Sequence, residues 1–246
     1  MMQLVEFTQT SPVEHSTDLT LIVVNSLDRA CKALARFGYD VLAYSDQALQ
    51  KLPELPDAKI RQIIANFDSM SEWIEPLDPR YPFEAEVATL RRALDKYGFE
   101  ADPEFWKTLE KGQIVEFYGE DMVQLYRSFN FFAITGYSLL DISVFEWYVL
   151  WDRPKQILEN LVGELNETLQ TYVPVRAFRA PKHLVREIFN TKKSGPFVPR
   201  ASWLEPLHLG TLRSSRFTRS SKKGFICTSR GEMIAKGKEA ENIQFI

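Results

Sequence analysis

Histidine, cysteine and paired carboxylates carry most enzymatic and metal chemistry, and in this chain they are few or scattered. The three histidines are His15, His183 and His208. His183 and His208 fall in segments that read as neighbouring strands and could approach one another, but two imidazoles without carboxylates make a poor metal site. Cys31 and Cys227 lie far apart and match no metal or redox spacing. The patterns Gly-x-Ser-x-Gly, His-Glu-x-x-His, Gly-x-x-x-x-Gly-Lys-Ser/Thr and Gly-x-Gly-x-x-Gly are all absent. Glu116, Glu120 and Asp121 are close in sequence, and such carboxylates ordinarily form a wet surface. The expectation is a protein that is not an enzyme, with no catalytic residue, metal or cofactor assigned.

Aromatic and basic residues are the richer signals. Tyr126, Phe132, Tyr137, Trp147 and Trp203, with Tyr148 and Trp151 beside them, make an aromatic middle. Rings around a few polar groups suit a ligand pocket; a core filled by large side chains is the plainer reading. Arg213, Arg216, Arg219, Lys222 and Lys223, with Phe217 among them, form the sharpest basic run and could hold phosphates, with Lys192 and Lys193 nearby. The plainer reading there is a solvated hairpin loop, and no helix-turn-helix or zinc finger is present to read bases. Its serines also permit phosphorylation, which would reverse the local charge.

Charge divides the chain more sharply than its net value of −3 suggests. Residues 176–246 hold 15 Lys/Arg against 5 Asp/Glu, whereas residues 1–175 hold 15 against 28. Complementary contact within the chain or between copies is favoured over a nucleic-acid surface. With 246 residues, 45% of them apolar, the chain can bury a sizeable core. The N-terminus shows no signal peptide. No stretch nears the roughly 18 apolar residues of a membrane span, so a cytoplasmic protein without membrane contact is expected.

The elements that must position these residues follow in order. Residues 1–17 are polar and aperiodic, and read as a flexible tail. Leu19–Val24 is a β-branched run, Ala30, Leu34 and Phe37 have helical spacing, and Tyr39–Tyr44 reads as a strand. That strand–helix–strand unit resembles the opening of a response-regulator receiver, but Asn25-Ser26 stand where acidic residues would hold Mg²⁺. An all-helical reading of 19–50 is the alternative. Ile60, Ile63, Ile64 and Phe67 predict a helix from Ala58. Pro76, Pro79 and Pro82 interrupt it, and Phe83–Tyr97 is a second amphipathic helix closed by Gly98. Asp102-Pro103 opens a third, running to Leu109. A boundary near Gly112 separates a mainly helical, or α/β, region 18–111 from a unit spanning 112–246. In the latter, Gln113–Tyr118 and Met122–Ser128 read as a hairpin. Short helices follow, then a long one over 155–171 with Leu158, Leu161, Leu165 and Leu169 in its stripe. Extended segments Tyr172–Phe178, Leu184–Phe189, Arg200–Arg213 and Gly224–Ile234 complete the chain.

Within this order, Asn130-Phe131-Phe132-Ala133-Ile134-Thr135-Gly136-Tyr137-Ser138 resembles a motif that PAS domains carry just after their second strand. The aromatic stands one place early. Leu139-Leu140-Asp141-Ile142 falls where that family places a Leu/Ile-rich segment. The resemblance covers about residues 112–236. It implies an α+β fold, a five-stranded antiparallel sheet with helices on one face. It also implies a regulatory role in which a small ligand is sensed or a protein partner, including a second copy in a homodimer, is bound. A flavin photosensor of this family would need a cysteine after the second strand, and a haem sensor a histidine on the long helix; neither is present. No output domain follows Ile234. The alternative function is a nucleic-acid-associated regulator using residues 192–223.

Overall fold

The structure, a computed structural model, describes residues 12–188, 200–215 and 221–234. It opens with helix α1 (Pro12–Ala35), on which Leu19, Val23, Leu27, Ala30 and Leu34 recur at three and four residues and are buried. The β-branched run at 19–24 is thus one turn of a helical face. A continuous apolar stripe packed on other helices outweighs the weak β preference of Ile22-Val23-Val24. Residues 39–44 form no strand either, although the Leu42 and Ala43 carbonyls accept bonds from the Leu139 and Leu140 N–H groups at 2.9 and 3.1 Å. The strand–helix–strand reading gives way to the helical one. Helix α1 also starts at Pro12, inside the stretch expected to be a tail.

Helix α2 (Asp46–Lys51) is capped by the Ser45 hydroxyl, which accepts from the Ala48 N–H. Helix α3 (Asp57–Ile74) packs along α1 and turns through the proline-rich segment into α4 (Pro82–Tyr97). Gly98 ends α4 in the left-handed conformation, φ 74°, which glycine adopts without the Cβ clash other residues meet. Strand β1 (Phe99–Ala101) and helix α5 (Pro103–Thr108) follow, with the Asp102 carboxylate accepting from the Glu104 N–H.

The sheet is antiparallel throughout. Strands β2 (Ile114–Gly119) and β3 (Gln124–Arg127) form the expected hairpin. Then come α6 (Phe131–Ile134), α7 (Asp141–Val144), β4 (Trp151–Asp152), the long α8 (Lys155–Thr171), β5 (Arg176–Ala177), β6 (His183–Glu187), β7 (Ala201–Ser214) and β8 (Gly224–Met233). The spatial order is β3-β2-β8-β7-β6-β4, with β1 and β5 also on β7. The 14-residue β7 has β8 along one edge, and β6, β5 and β1 in succession along the other. The fold class is therefore α+β with a curled antiparallel sheet.

Two features differ from the sequence expectation. The sheet has eight strands among the described residues, because two- and three-residue segments extend the β7 and β6 edges. Helices also cover both faces. Ile114, Tyr118, Phe225 and Leu209 face α6 and α8, while Val115, Phe117, Ile226 and Leu212 pack with Leu90, Leu94 and Phe105 of α4 and α5. Successive strand residues point to opposite faces, and here both sets are apolar, so both faces must be covered. Apolar contacts also run across residue 112. Leu27 and Ile63 share one cluster with Phe129, Tyr137 and Trp151.

Candidate functional site

The concave face under α8 holds a partly open cavity of about 80 Å³. Its walls are mostly rings and aliphatic groups: Phe131, Trp147, Trp151, Leu161, Leu165 and Phe225. Three charged side chains reach into this apolar space. They are Glu116 at the centre of β2, Arg127 at the end of β3, and Arg153 just before α8.

Their pairing is incomplete. Arg127 Nε donates to Glu116 Oε1 at 2.9 Å, and its guanidinium carbon lies 3.9 Å from the centroid of the Phe131 ring. The same carboxylate oxygen accepts from Gln124 Nε2 at 2.6 Å, and that amide also donates to the Tyr118 hydroxyl at 2.8 Å. Arg127 Nη1 and both Nε and Nη1 of Arg153 are fully enclosed and find no acceptor. Burial pushes the Arg153 pKa down, Glu116 and Tyr118 oppose that shift, and Arg127 adds to it. An arginine nonetheless stays protonated in such surroundings. Burial raises Tyr118 and Cys227 well above their ordinary values, so both are neutral. His183, whose Nδ1 lies 3.0 Å from the Pro181 carbonyl, is pushed down by burial, and Arg153 contributes. Its Nε2 is enclosed and unpartnered as well. Among the residues lining the cavity, no nucleophile is hydrogen-bonded to a base that also lines it, and the groups present can recognise charge and shape. No group of three or more metal-ligating side chains occurs among the described residues.

A second cavity, about 140 Å³, lies where α3 and α4 meet β3. Tyr126, Phe132 and Arg127 line it, so Arg127 borders both spaces. The Tyr126 hydroxyl is enclosed without a partner, and its ring stacks on Phe117 at 5.6 Å.

The five aromatic candidates therefore separate. Trp147 lines the concave cavity, and Tyr126 and Phe132 line the one beside α3. Tyr137 is a core residue whose hydroxyl donates to the Leu150 carbonyl and accepts from the Ile188 N–H at 2.9 Å. Trp203 lies on neither cavity; the Lys182 ammonium stands 5.7 Å from its ring centroid. Of the basic candidates, Arg213 lies opposite Glu100 in the β1–β7 register. Lys222 Nζ donates to the Tyr97 carbonyl at 3.1 Å, and Lys223 Nζ stands 4.8 Å from the Tyr172 ring centroid. Arg216, Arg219, Lys192 and Lys193 lie outside the described residues. His183 and His208 do not face each other: in the strand register, His183 opposes Leu204 and His208 opposes Ala177 and Thr228.

The Asn130–Ser138 motif serves to anchor its surroundings. Asn130 donates through its backbone N–H and Nδ2 to the Glu86 carboxylate at 2.9 and 2.7 Å, and accepts from the Tyr39 hydroxyl at 2.9 Å. Thr135 Oγ1 and the Gly136 N–H donate to Glu187 Oε1 at 3.0 and 2.5 Å. Ser138 donates twice to the fully buried Asp141, which also accepts from Ser45. The guanidinium pair was missed in sequence. The available signal was Glu116, a charge inside the apolar run Ile114-Val115-Glu116-Phe117-Tyr118, which implies a buried partner.

Comparison with protein-family models, with curated proteins and with solved structures found no match. Among the described residues, no helix is long and apolar enough to cross a membrane.

Proposed function

We propose that this protein is a non-enzymatic regulatory module of PAS-like type, in which a small ligand held under α8 alters contacts made by the N-terminal helices. The observation that carries the reading is the partly open concave cavity lined by two arginines, some of whose buried guanidinium N–H groups find no acceptor in the protein. A filled structural core has no use for such groups, because an unpaired buried charge is costly. The order of elements supports the PAS-like assignment: a hairpin, short helices, a long helix, then strands returning beside the hairpin.

A route to the N-terminal helices is built in. Arg127 borders both cavities, and Asn130, three residues on, is bonded to Glu86 of α4. A ligand that favours one Arg127 rotamer would shift the balance of states at α3 and α4, provided it binds those states unequally. The proposed partner is a second copy or another protein, and Leu21 and Ile22 on α1 are exposed apolar side chains available to it. The alternative, a nucleic-acid regulator, has weaker support, since Lys222 and Lys223 already make internal contacts.

Native mass spectrometry of the purified full chain tests the reading. A small bound mass that leaves on denaturation is expected, and the same spectrum gives the copy number. A bare chain that accepts no added small molecule would restrict the protein to protein association.

A further inference from the structure

We propose that the ligand of the concave cavity is a small aliphatic monocarboxylate, two to four carbons long, whose carboxylate sits between Arg127 and Arg153 and whose alkyl end lies against Trp147 and Leu165. This rests on the reading of the cavity as a ligand site, and adds the chemical class.

Charge decides first. The ionised groups lining the cavity are Arg127, Arg153 and Glu116, two positive and one negative, with Tyr118 and Cys227 neutral. One positive charge is left without a protein counter-ion in a mostly apolar, partly open space. A monoanion neutralises it; a dianion would exchange one unbalanced charge for another. Water could accept the N–H bonds but would leave the charge. A neutral ligand has the same shortcoming.

Geometry decides next. The buried donors without an acceptor are Nη1 of Arg127 and Nε and Nη1 of Arg153. A guanidinium presents its donors as a planar fork, which matches the two oxygens of a carboxylate. Glu116 already occupies Nε of Arg127 and leaves Nη1 of that residue open. Thr228 and Ser229 also line the cavity, but the walls on the Trp147 and Leu165 side are apolar, and the remainder of the ligand lies there. Size favours a short chain: at about 80 Å³ the space is roughly half that of an engineered cavity known to hold benzene.

The test is calorimetric and thermal-shift titration of the full chain with acetate, propionate and butyrate. Parallel titrations use butyramide as the neutral isostere, succinate as the dianion, and phosphate as an inorganic anion. Wild type is compared with Arg153→Met and Arg153→Lys. Arg153→Met removes the unpaired buried charge and should fold at least as well as wild type. The expected result is saturable binding of the monocarboxylates, with affinity reduced about tenfold or more by Arg153→Met and by a smaller factor by Arg153→Lys. Equal or tighter binding of phosphate or succinate would overturn the proposal. So would carboxylate binding untouched by Arg153→Met. Binding of butyramide as tight as butyrate would overturn the anion assignment while leaving the ligand-sensor reading in place. If neither the carboxylates nor butyramide bind, and native mass spectrometry shows a bare chain, the sensor reading falls with it.

Discussion

Single side chains in this protein are placed where a small chemical change has a definite cost. The Tyr137 hydroxyl joins the Leu150 carbonyl to the Ile188 N–H across a buried junction. Tyr137→Phe keeps the ring and removes that bridge, so it should cost about 1–3 kcal/mol in chemical denaturation. A change under a few tenths of that range would show the bridge to be replaceable. Glu86 carries a second consequence. Burial raises its pKa from 4.5 to about 7, although bonds from the Asn130 and Phe129 N–H groups and the Asn130 side chain pull it down. Between those two values the folded state holds a proton that the unfolded chain has released. The folded state therefore binds more protons there, and the contribution of Glu86 to stability falls as pH rises through that window. Urea midpoints measured from about pH 5 to about pH 8 should decline less for Glu86→Gln than for wild type; parallel slopes would contradict the assignment. The buried arginines were not legible at this scale. Nothing in Gln124-Leu125-Tyr126-Arg127 or Trp151-Asp152-Arg153-Pro154 says where a guanidinium ends, because that is settled by which strand and helix close over it.

Elements were legible where a strong period met clear punctuation. Helix α8 occupies the span its leucine spacing predicts, with Tyr172 closing it in the left-handed region, φ 53°. Strands β2, β3, β7 and β8 follow the expected segments for the same reason. The run 19–24 misled because a few β-branched residues look alike in a strand and in one turn of a buried helix, and the deciding stripe only emerges over the full length of α1. Strands β1, β4 and β5, of two or three residues, exist only because the edges of β7 and β6 are there to pair with. One of these pairings depends on a glycine. A Cβ at Gly210 would lie 2.4 Å from the Pro174 carbonyl oxygen, where backbone brings the chain into β5. Gly210→Ala should therefore destabilise the fold by about 1–3 kcal/mol, with hydrogen exchange quickening first around residues 173–177. Exchange that quickens uniformly would place the strain elsewhere.

For the molecule as a whole, the two halves read in sequence share their apolar surfaces. Helices α4 and α5 cover Val115, Phe117 and Ile226, and β1 pairs with the end of β7. A chain beginning at Gly112 would expose that face of the sheet, an apolar patch of the kind that drives association. It should bind a hydrophobic dye and run as aggregate in size exclusion, whereas the full chain should not. A monodisperse fragment would mean that the N-terminal helices are dispensable to the fold. The same intimacy gives the proposed signal its path, since Arg127 touches both the concave cavity and the space beside α3. The most direct test of that account is a crystal structure of the full chain purified without denaturation or exhaustive dialysis. The account predicts compact, non-water density under α8 within hydrogen-bonding distance of Arg127 and Arg153. A closed cavity, with both guanidinium groups bonded to protein acceptors or turned out to solvent, would contradict it.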